Sequence, residues 1–331
     1  MKILFLSDGS QKIGMGHIYR SINLANELKS KNEISFLTRE QLSHQIFKKK
    51  YKSFFVKKSD IDREKSIIKK INPNLVIIDK LKERNSTISS IYRICRNILL
   101  IDYTKKNTRS NFYGITILYP FTGFSSQKKA DLKYAIINRN FFTNRISKIN
   151  PIVKKIIVLQ GGADTHCFTP KIIDSFNKVN LNFEITVVLG RSFNCWKKLN
   201  RSLSNSKQKI KILSDLPTLS PILKKFDLAI TAGGMTLLEL AYVGVPSLII
   251  CGEKFEVETA NLLEKNNFGK NLGFGKNLST TKIAKNIELI SQNFTQRKKM
   301  KLNGQKIIDG NGVIRVKDLI NSYNFKDDSK F

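Results

Sequence analysis

Short runs of consecutive apolar residues alternate with segments of helical spacing from one end of the chain to the other. In the first half the runs are KILFLS, EISFLT, LVIID, NILLID and ITILY. Between the first two, Ile18, Ile22, Ala25 and Leu28 recur at helical intervals, which predicts an amphipathic helix. NPNLVIID places a turn signal at Pro73 before an unbroken apolar run, the pattern of a strand covered on both faces. The second half restarts the alternation with IIVLQ, FEITVVLG, KIKIL, LAITA and PSLIIC, each followed by a helical segment. Repeated β and α units imply parallel sheets with helices on both faces. Two such series predict two doubly wound α/β domains, residues 1–150 and 151–320, followed by a polar tail over 321–331. The join falls near RISKINPIVKK, where Pro151 and dense charge mark a linker. In open sheets of this kind ligands bind beyond the carboxyl ends of the strands, so the loops there are where chemistry is expected.

Composition narrows the classes. The chain has 331 residues, 41% hydrophobic and 25% charged, the profile of a globular protein with a sizeable core. No apolar run approaches the roughly 18 residues that span a bilayer. The opening ILFL is too short for a signal-peptide core, so the expected location is cytoplasmic. Cys95, Cys167, Cys195 and Cys251 are scattered without a CxxC pair, which predicts reduced, structural thiols and no zinc site. The formal charge of +32 invites a nucleic-acid reading. Yet the lysines come as doublets along the whole length, with no aromatic-interleaved stripe or basic tail. Specific nucleic-acid binding is therefore not expected, and the charge reads as a solvated surface field. Contact with an anionic membrane surface and attraction of anionic substrates are the roles left open for it.

Three loops carry candidate chemistry. The first, SDGSQKIGMGHIYRS, holds Gly14, Gly16 and His17 between the first strand and the first helix. Glycines let backbone approach a ligand, and a neutral imidazole at such a place is a natural general base. The alternative is a histidine that caps or packs the helix. The spacing is not GxGxxG, which lowers a dehydrogenase reading. His44, in a lysine-rich helix, reads as a surface residue. The second loop, LQGGADTHCFTPKI, offers Gly161, Gly162 and Asp164 as a phosphate cradle, with Thr169 and Pro170 as N-cap and first-turn proline. An ordinary glycine turn is the alternative. The third, ITAGGMTLLEL, ends a strand at Gly233 and Gly234 and continues into a helix carrying Met235, Thr236 and Glu239. A carboxylate in the second turn can accept both hydroxyls of a ribose, whereas a lone helix glutamate is usually a solvated one.

These motifs together are recognisable. SDGSQKIGMGHIYRSINLA, with His17 and Arg20, resembles the opening of the pseudaminic-acid pathway hydrolases that cleave UDP from a diacetamido-trideoxy sugar. It is also similar to their relatives, the spore-coat polysaccharide proteins. YAIIN followed by FF, GGADTHCFTPK and DGNGVIRV resemble further segments of those families. AGGMTLLELAYVGVP is similar to the donor-binding segment of the family 28 glycosyltransferases that make the peptidoglycan lipid intermediate, and by that match Glu239 takes the ribose-binding place. The resemblance implies a GT-B fold: two Rossmann-like doubly wound parallel-sheet domains facing a cleft, with UDP on the second. It further implies substrate contacts from Arg20, Asp79, Glu258 and Thr259, no metal and no cofactor. Two departures fall near the sugar. Where the hydrolases carry Asp-His-Tyr this chain has Asp79, Lys80 and Leu81, and where they carry Asn-Gln it has Phe255 and Glu256.

The expected function is a UDP-sugar hydrolase of nonulosonic-acid or surface-polysaccharide biosynthesis, with His17 activating water. A GT-B glycosyltransferase with a glycan hydroxyl as acceptor is the alternative. A basic nucleic-acid-binding protein is a third, disfavoured because the charge is diffuse and the glycine loops are local. Oligomeric state is not legible.

Overall fold

The structure, a computed structural model, describes residues 1–10, 14–80, 83–101, 115–117, 128–129, 132–214 and 216–322. Leu81 and most of the tail lie outside these residues.

The chain forms two compact units, 1–137 with 310–331, and 138–309. The first begins β1 (Lys2–Ser7), α1 (Gly16–Leu28), β2 (Glu33–Thr38), α2 (Gln41–Phe47), β3 (Lys52–Phe55) and α3 (Ile61–Ile71). It continues β4 (Leu75–Asp79), α4 (Asn85–Tyr92), β5 (Ile98–Ile101), β6 (Ile115–Ile117) and β7 (Lys128–Lys129). The strands pair in parallel in the order β3-β2-β1-β4-β5-β6-β7. Every residue of β4 is buried, as its unbroken apolar run requires of a strand covered on both faces. On α1 the buried face is His17, Ile18, Arg20, Ser21, Leu24, Ala25 and Leu28, so a histidine, an arginine and a serine share the stripe expected to be apolar. Phe36 stacks between Phe5 and Phe47, at centroid distances of 4.9 and 4.1 Å, and locks α2 to the sheet.

The second unit runs β8 (Lys155–Leu159), α5 (Phe168–Phe176), β9 (Glu184–Leu189), α6 (Trp196–Ser204), β10 (Lys209–Ser214) and α7 (Ser220–Leu223). Then follow β11 (Leu228–Thr231), α8 (Met235–Val243), β12 (Ser247–Cys251), α9 (Lys254–Lys265), β13 (Lys270–Phe274), α10 (Thr280–Gln292) and α11 (Phe294–Ile307). Its parallel sheet has the order β10-β9-β8-β11-β12-β13. Both sheets reverse direction beside their first strand, at β1/β4 and at β8/β11. That switch point opens the crevice where doubly wound sheets bind ligands.

The domain boundary differs from the expected one. Residues 138–150 pack into the second unit: Ile146 N–H donates to the Val243 carbonyl, Asn144 to the Ser220 hydroxyl and the Tyr242 hydroxyl to the Phe142 carbonyl. Buried Arg297 also holds this stretch, donating to the Asn150 and Pro151 carbonyls. The last helix, α12 (Gly312–Ser322), returns to the first unit, with Gly312 against Ala135 and Arg315 donating to the Lys133 carbonyl. The DGNGVIRV segment therefore closes the first domain and not the second.

Three strands went unread in the sequence. Strands β3, β7 and β13 lie at sheet edges, each paired on one side only, so none needs a long apolar run. No helix among the described residues is long and apolar enough to cross a membrane.

Candidate active site

In the first unit, the glycine loop follows β1 and Asp79 ends β4, so the two flank the switch point. Gly14 adopts φ +80°, open to glycine at little cost, and its N–H donates to the Ser10 carbonyl, pinching the loop before α1. Gly9 lies so close to Ile18 that a methyl there would collide with that side chain. Met15 at the N-cap of α1 offers no side-chain acceptor, and the first turn holds no acid, so the helix start is open to an anion.

His17, on the first turn of α1, is buried with Nδ1 2.7 Å from Asp79 Oδ1. Arg20, one turn on, donates through Nε to Asp79 Oδ2 at 2.9 Å and through Nη2 to Oδ1. Ser21 adds a donor to Oδ2 at 3.2 Å. Burial alone would raise the Asp79 carboxyl, but the Arg20 guanidinium and then His17 override it and hold the pKa at about 2. Arg20 Nη2 also lies 3.0 Å from Nδ1; in the tautomer whose Nδ1–H donates to the ionised Asp79, Nε2, without a hydrogen bond among the described residues, is the nitrogen left to act as base. This is the orienting logic of an acid–histidine pair. Asp79 is fully buried with both oxygens engaged, so the expected substrate contact is corrected to a support beneath His17. Arg20 is likewise buried and committed to Asp79, and is corrected in the same way.

Beside this pair lies an ionic network that sequence reading missed. Lys80 is buried, its Nζ 3.1 Å from Asp8 Oδ2 and 3.2 Å from Glu83 Oε2. Arg39 bridges Glu83 and Glu64. Desolvation opposes the charge on Asp8 and Glu83, yet Lys80 and its neighbours hold both carboxyls below their usual range. Lys80, one of the departures noted above, thus ties the β4 loop to the β1 loop. His44, expected on the surface, is half-buried and bonds to the Ser53 hydroxyl.

In the second unit the expected loops do gather at one switch point. Gly161 takes φ +73°, and a methyl on Gly190 would run into Gly162, so the loops after β8 and β9 touch backbone to backbone. Ser192 N–H fixes the approach by donating to the Gly162 carbonyl. Among the described residues, the N–H groups of Gly162, Thr165 and His166 find no acceptor. Asp164, however, is turned inward. Its two oxygens accept from Phe168 N–H and Thr169 N–H, both at 2.8 Å, so it caps α5 and is corrected from ligand contact to loop support. Pro170 falls in the first turn of α5 as expected, but Thr169 lies inside the helix and the N-cap position belongs to Cys167.

Cys167 and Cys195 form a disulfide, which overturns the expectation of reduced thiols throughout. The residues are 28 apart in sequence, and only the adjacency of β8 and β9 brings the N-caps of α5 and α6 together. Cys95 and Cys251 are free and buried, and burial, aided by Glu256, pushes the Cys251 thiol up to about 12.

The turn after β11 leads into α8, whose N-cap, Gly234, provides no side-chain acceptor. Its first N–H groups, at half-buried Met235 and Thr236, meet no acceptor among the described residues. A methyl on Gly233 would strike the Glu256 backbone. Glu239 is half-buried on the second turn, and its carboxyl accepts no hydrogen bond among the described residues. Desolvation pushes it up to about 8. A desolvated acceptor without a partner, one turn past an uncapped helix start, is a site arranged for something the chain does not supply.

On α9, Glu256 completes a capping box with Glu253, accepting from Gly252 N–H at 2.7 Å. Thr259 is buried and its hydroxyl donates to the Phe255 carbonyl, which corrects it to a helix-internal role. Glu258 is exposed. Among the described residues no group of three or more His, Cys, Asp or Glu side chains is placed to hold a metal ion.

Residues 154–310 match the glycosyltransferase family 28 C-terminal domain. An uncharacterized protein of Methanocaldococcus jannaschii is 30% identical over 280 residues, 78% of this chain and 57% of that protein, so the chain spans little more than half of this relative. The spore coat polysaccharide biosynthesis protein SpsG of Bacillus subtilis is 22% identical, with 96% of each chain covered. Among solved structures, Acinetobacter baumannii MurG matches with TM-score 0.66 at 11% identity, over 97% of this chain and 99% of that one. Anabaena HepE, solved with UDP-glucose, matches with TM-score 0.62 at 12% identity, over 98% and 100%. The chain has the two-unit, parallel-sheet GT-B fold of the glycosyltransferases, and the family 28 match falls on its second unit.

Proposed function

We propose that this protein cleaves a UDP-sugar, releasing UDP, in the biosynthesis of a nonulosonic (pseudaminic-type) acid or a surface polysaccharide. The observation that carries the reading is the partnerless Glu239 carboxyl, one turn beyond the uncapped start of α8. A diphosphate suits the free N–H groups of the Gly233–Gly234 turn and of Gly161–Gly162, and a ribose diol suits Glu239. His17, oriented by Asp79, takes the proton of the attacking oxygen nucleophile. The SpsG relative, named for polysaccharide biosynthesis, and the neighbour solved with UDP-glucose support the substrate class.

A transferase is the second reading. The family 28 domain and the glycosyltransferase neighbours favour it, since the same base would serve an acceptor hydroxyl. Incubating the purified protein with UDP-sugars and no acceptor separates the two. Steady UDP release supports the hydrolase, and release that begins only on adding a glycan acceptor supports the transferase. No UDP release under either condition would count against both.

A further inference from the structure

The second unit carries a histidine that this scheme leaves idle. His166 sits in the β8 loop, and its backbone N–H, like those of Gly162 and Thr165, finds no acceptor among the described residues. Its Nε2 lies 3.1 Å from Glu253 Oε1, on the loop after β12. The side chain therefore reaches from one flank of the switch point past β11 to the next loop. Its ring stacks on Phe168, with centroids 5.4 Å apart and planes inclined by 19°. A methyl on Gly252 would stand 3.0 Å from its Cδ2, so Gly252 is what lets the ring settle there. Glu256 packs against the Gly233–Gly234 turn on one side and Gly252 on the other, which puts His166 one residue's width from the open end of α8. The imidazole is held on three sides, yet its side chain keeps 42% exposure and Nδ1 has no partner among the described residues.

We propose that His166, in its doubly protonated form with Nε2–H donating to Glu253, donates from Nδ1–H to the terminal phosphate of a bound nucleoside diphosphate. The inference rests on the nucleotide reading of this site. A loose surface ion pair would have no use for the stacking on Phe168 or for the room made by Gly252. The neighbouring acids also suit an anion, because desolvation raises Glu256 and Glu239 towards their neutral forms. When the anomeric C–O bond breaks, its electron pair stays on the terminal phosphate oxygen. His166 then stabilises that charge through the hydrogen bond while keeping its proton.

Calorimetric titration of UDP, UMP and uridine into wild type and His166→Ala tests this. His166 is exposed, and a matching melting curve establishes that the variant is folded. UDP affinity should fall about ten- to a hundredfold, the range of one charge-assisted hydrogen bond, while UMP and uridine binding stay within about twofold. A variant that binds UDP as tightly as wild type, or loses all three ligands alike, overturns the inference alone. A wild type that ignores UDP overturns the nucleotide reading and this inference with it.

Discussion

Replacing Asp79 by asparagine tests the first unit most sharply. Asp79 is fully buried, and its oxygens accept from His17, Arg20 and Ser21. The amide removes the charge that compensates the buried Arg20 guanidinium, and breaking one side of a buried ion pair costs about 3–5 kcal/mol. The pH dependence supplies an independent magnitude. The native pKa is about 2 against an ordinary 3.8, and at about 1.4 kcal/mol per unit the shift contributes about 2 kcal/mol. A carboxyl depressed in the folded state contributes its stability above the unfolded pKa and loses it as pH falls from about 4 to about 2. Urea denaturation at pH 7 should therefore find Asp79→Asn less stable by about 3–5 kcal/mol. At pH 2 the gap should shrink by about 2 kcal/mol, because only the wild type has lost that contribution. A gap below about 1 kcal/mol at pH 7, or one that does not change with pH, would refute the buried pair as described.

His17→Ala should cut turnover about 100- to 10,000-fold, the usual loss for a general base, while UDP affinity measured by calorimetry stays within about twofold. Glu239, raised to about 8 when folded against an ordinary 4.5, binds a proton in the native state that the unfolded chain gives up between those values. Native stability should thus fall as pH rises from about 5 to about 8, and chemical denaturation of Glu239→Gln should show that slope reduced. Duplex DNA should bind weakly, with affinity collapsing between low and physiological salt in a filter-binding titration, because diffuse lysines release counterions without reading sequence. Salt-resistant, sequence-selective binding would reverse the reading of the +32 charge.

The interior strands were legible because a strand buried on both faces must be apolar through its middle, as β1, β4 and β12 are. The edges β3 and β13 escaped because one-sided pairing permits KSFF and KNLGF. The glycine loops were legible from their place after strands, and His17, Gly233 and Glu239 fall where that placement puts them. What the carboxylates do was not legible. Asp79 and Asp164 sit in the right loops, but orientation decides whether an oxygen meets a ligand or a helix N–H, and no motif encodes it. The Lys80–Asp8–Glu83 cluster and the Cys167–Cys195 bond join residues far apart in sequence through strand order, which becomes visible only once the sheets are assembled. The return of α12 to the first unit is of the same kind.

The central claim, that the second unit holds a nucleoside diphosphate with its ribose on Glu239, is tested most directly by titrating UDP into wild type and Glu239→Ala. Two hydrogen bonds between the Glu239 carboxyl and a ribose diol, at about 0.5–1.5 kcal/mol each, predict a loss of about five- to a hundredfold in the variant. They also predict that 2′-deoxy-UDP binds wild type more weakly than UDP does, while the variant barely distinguishes the two. Equal UDP affinity in wild type and variant would contradict the account and return Glu239 to a helix residue without a ligand.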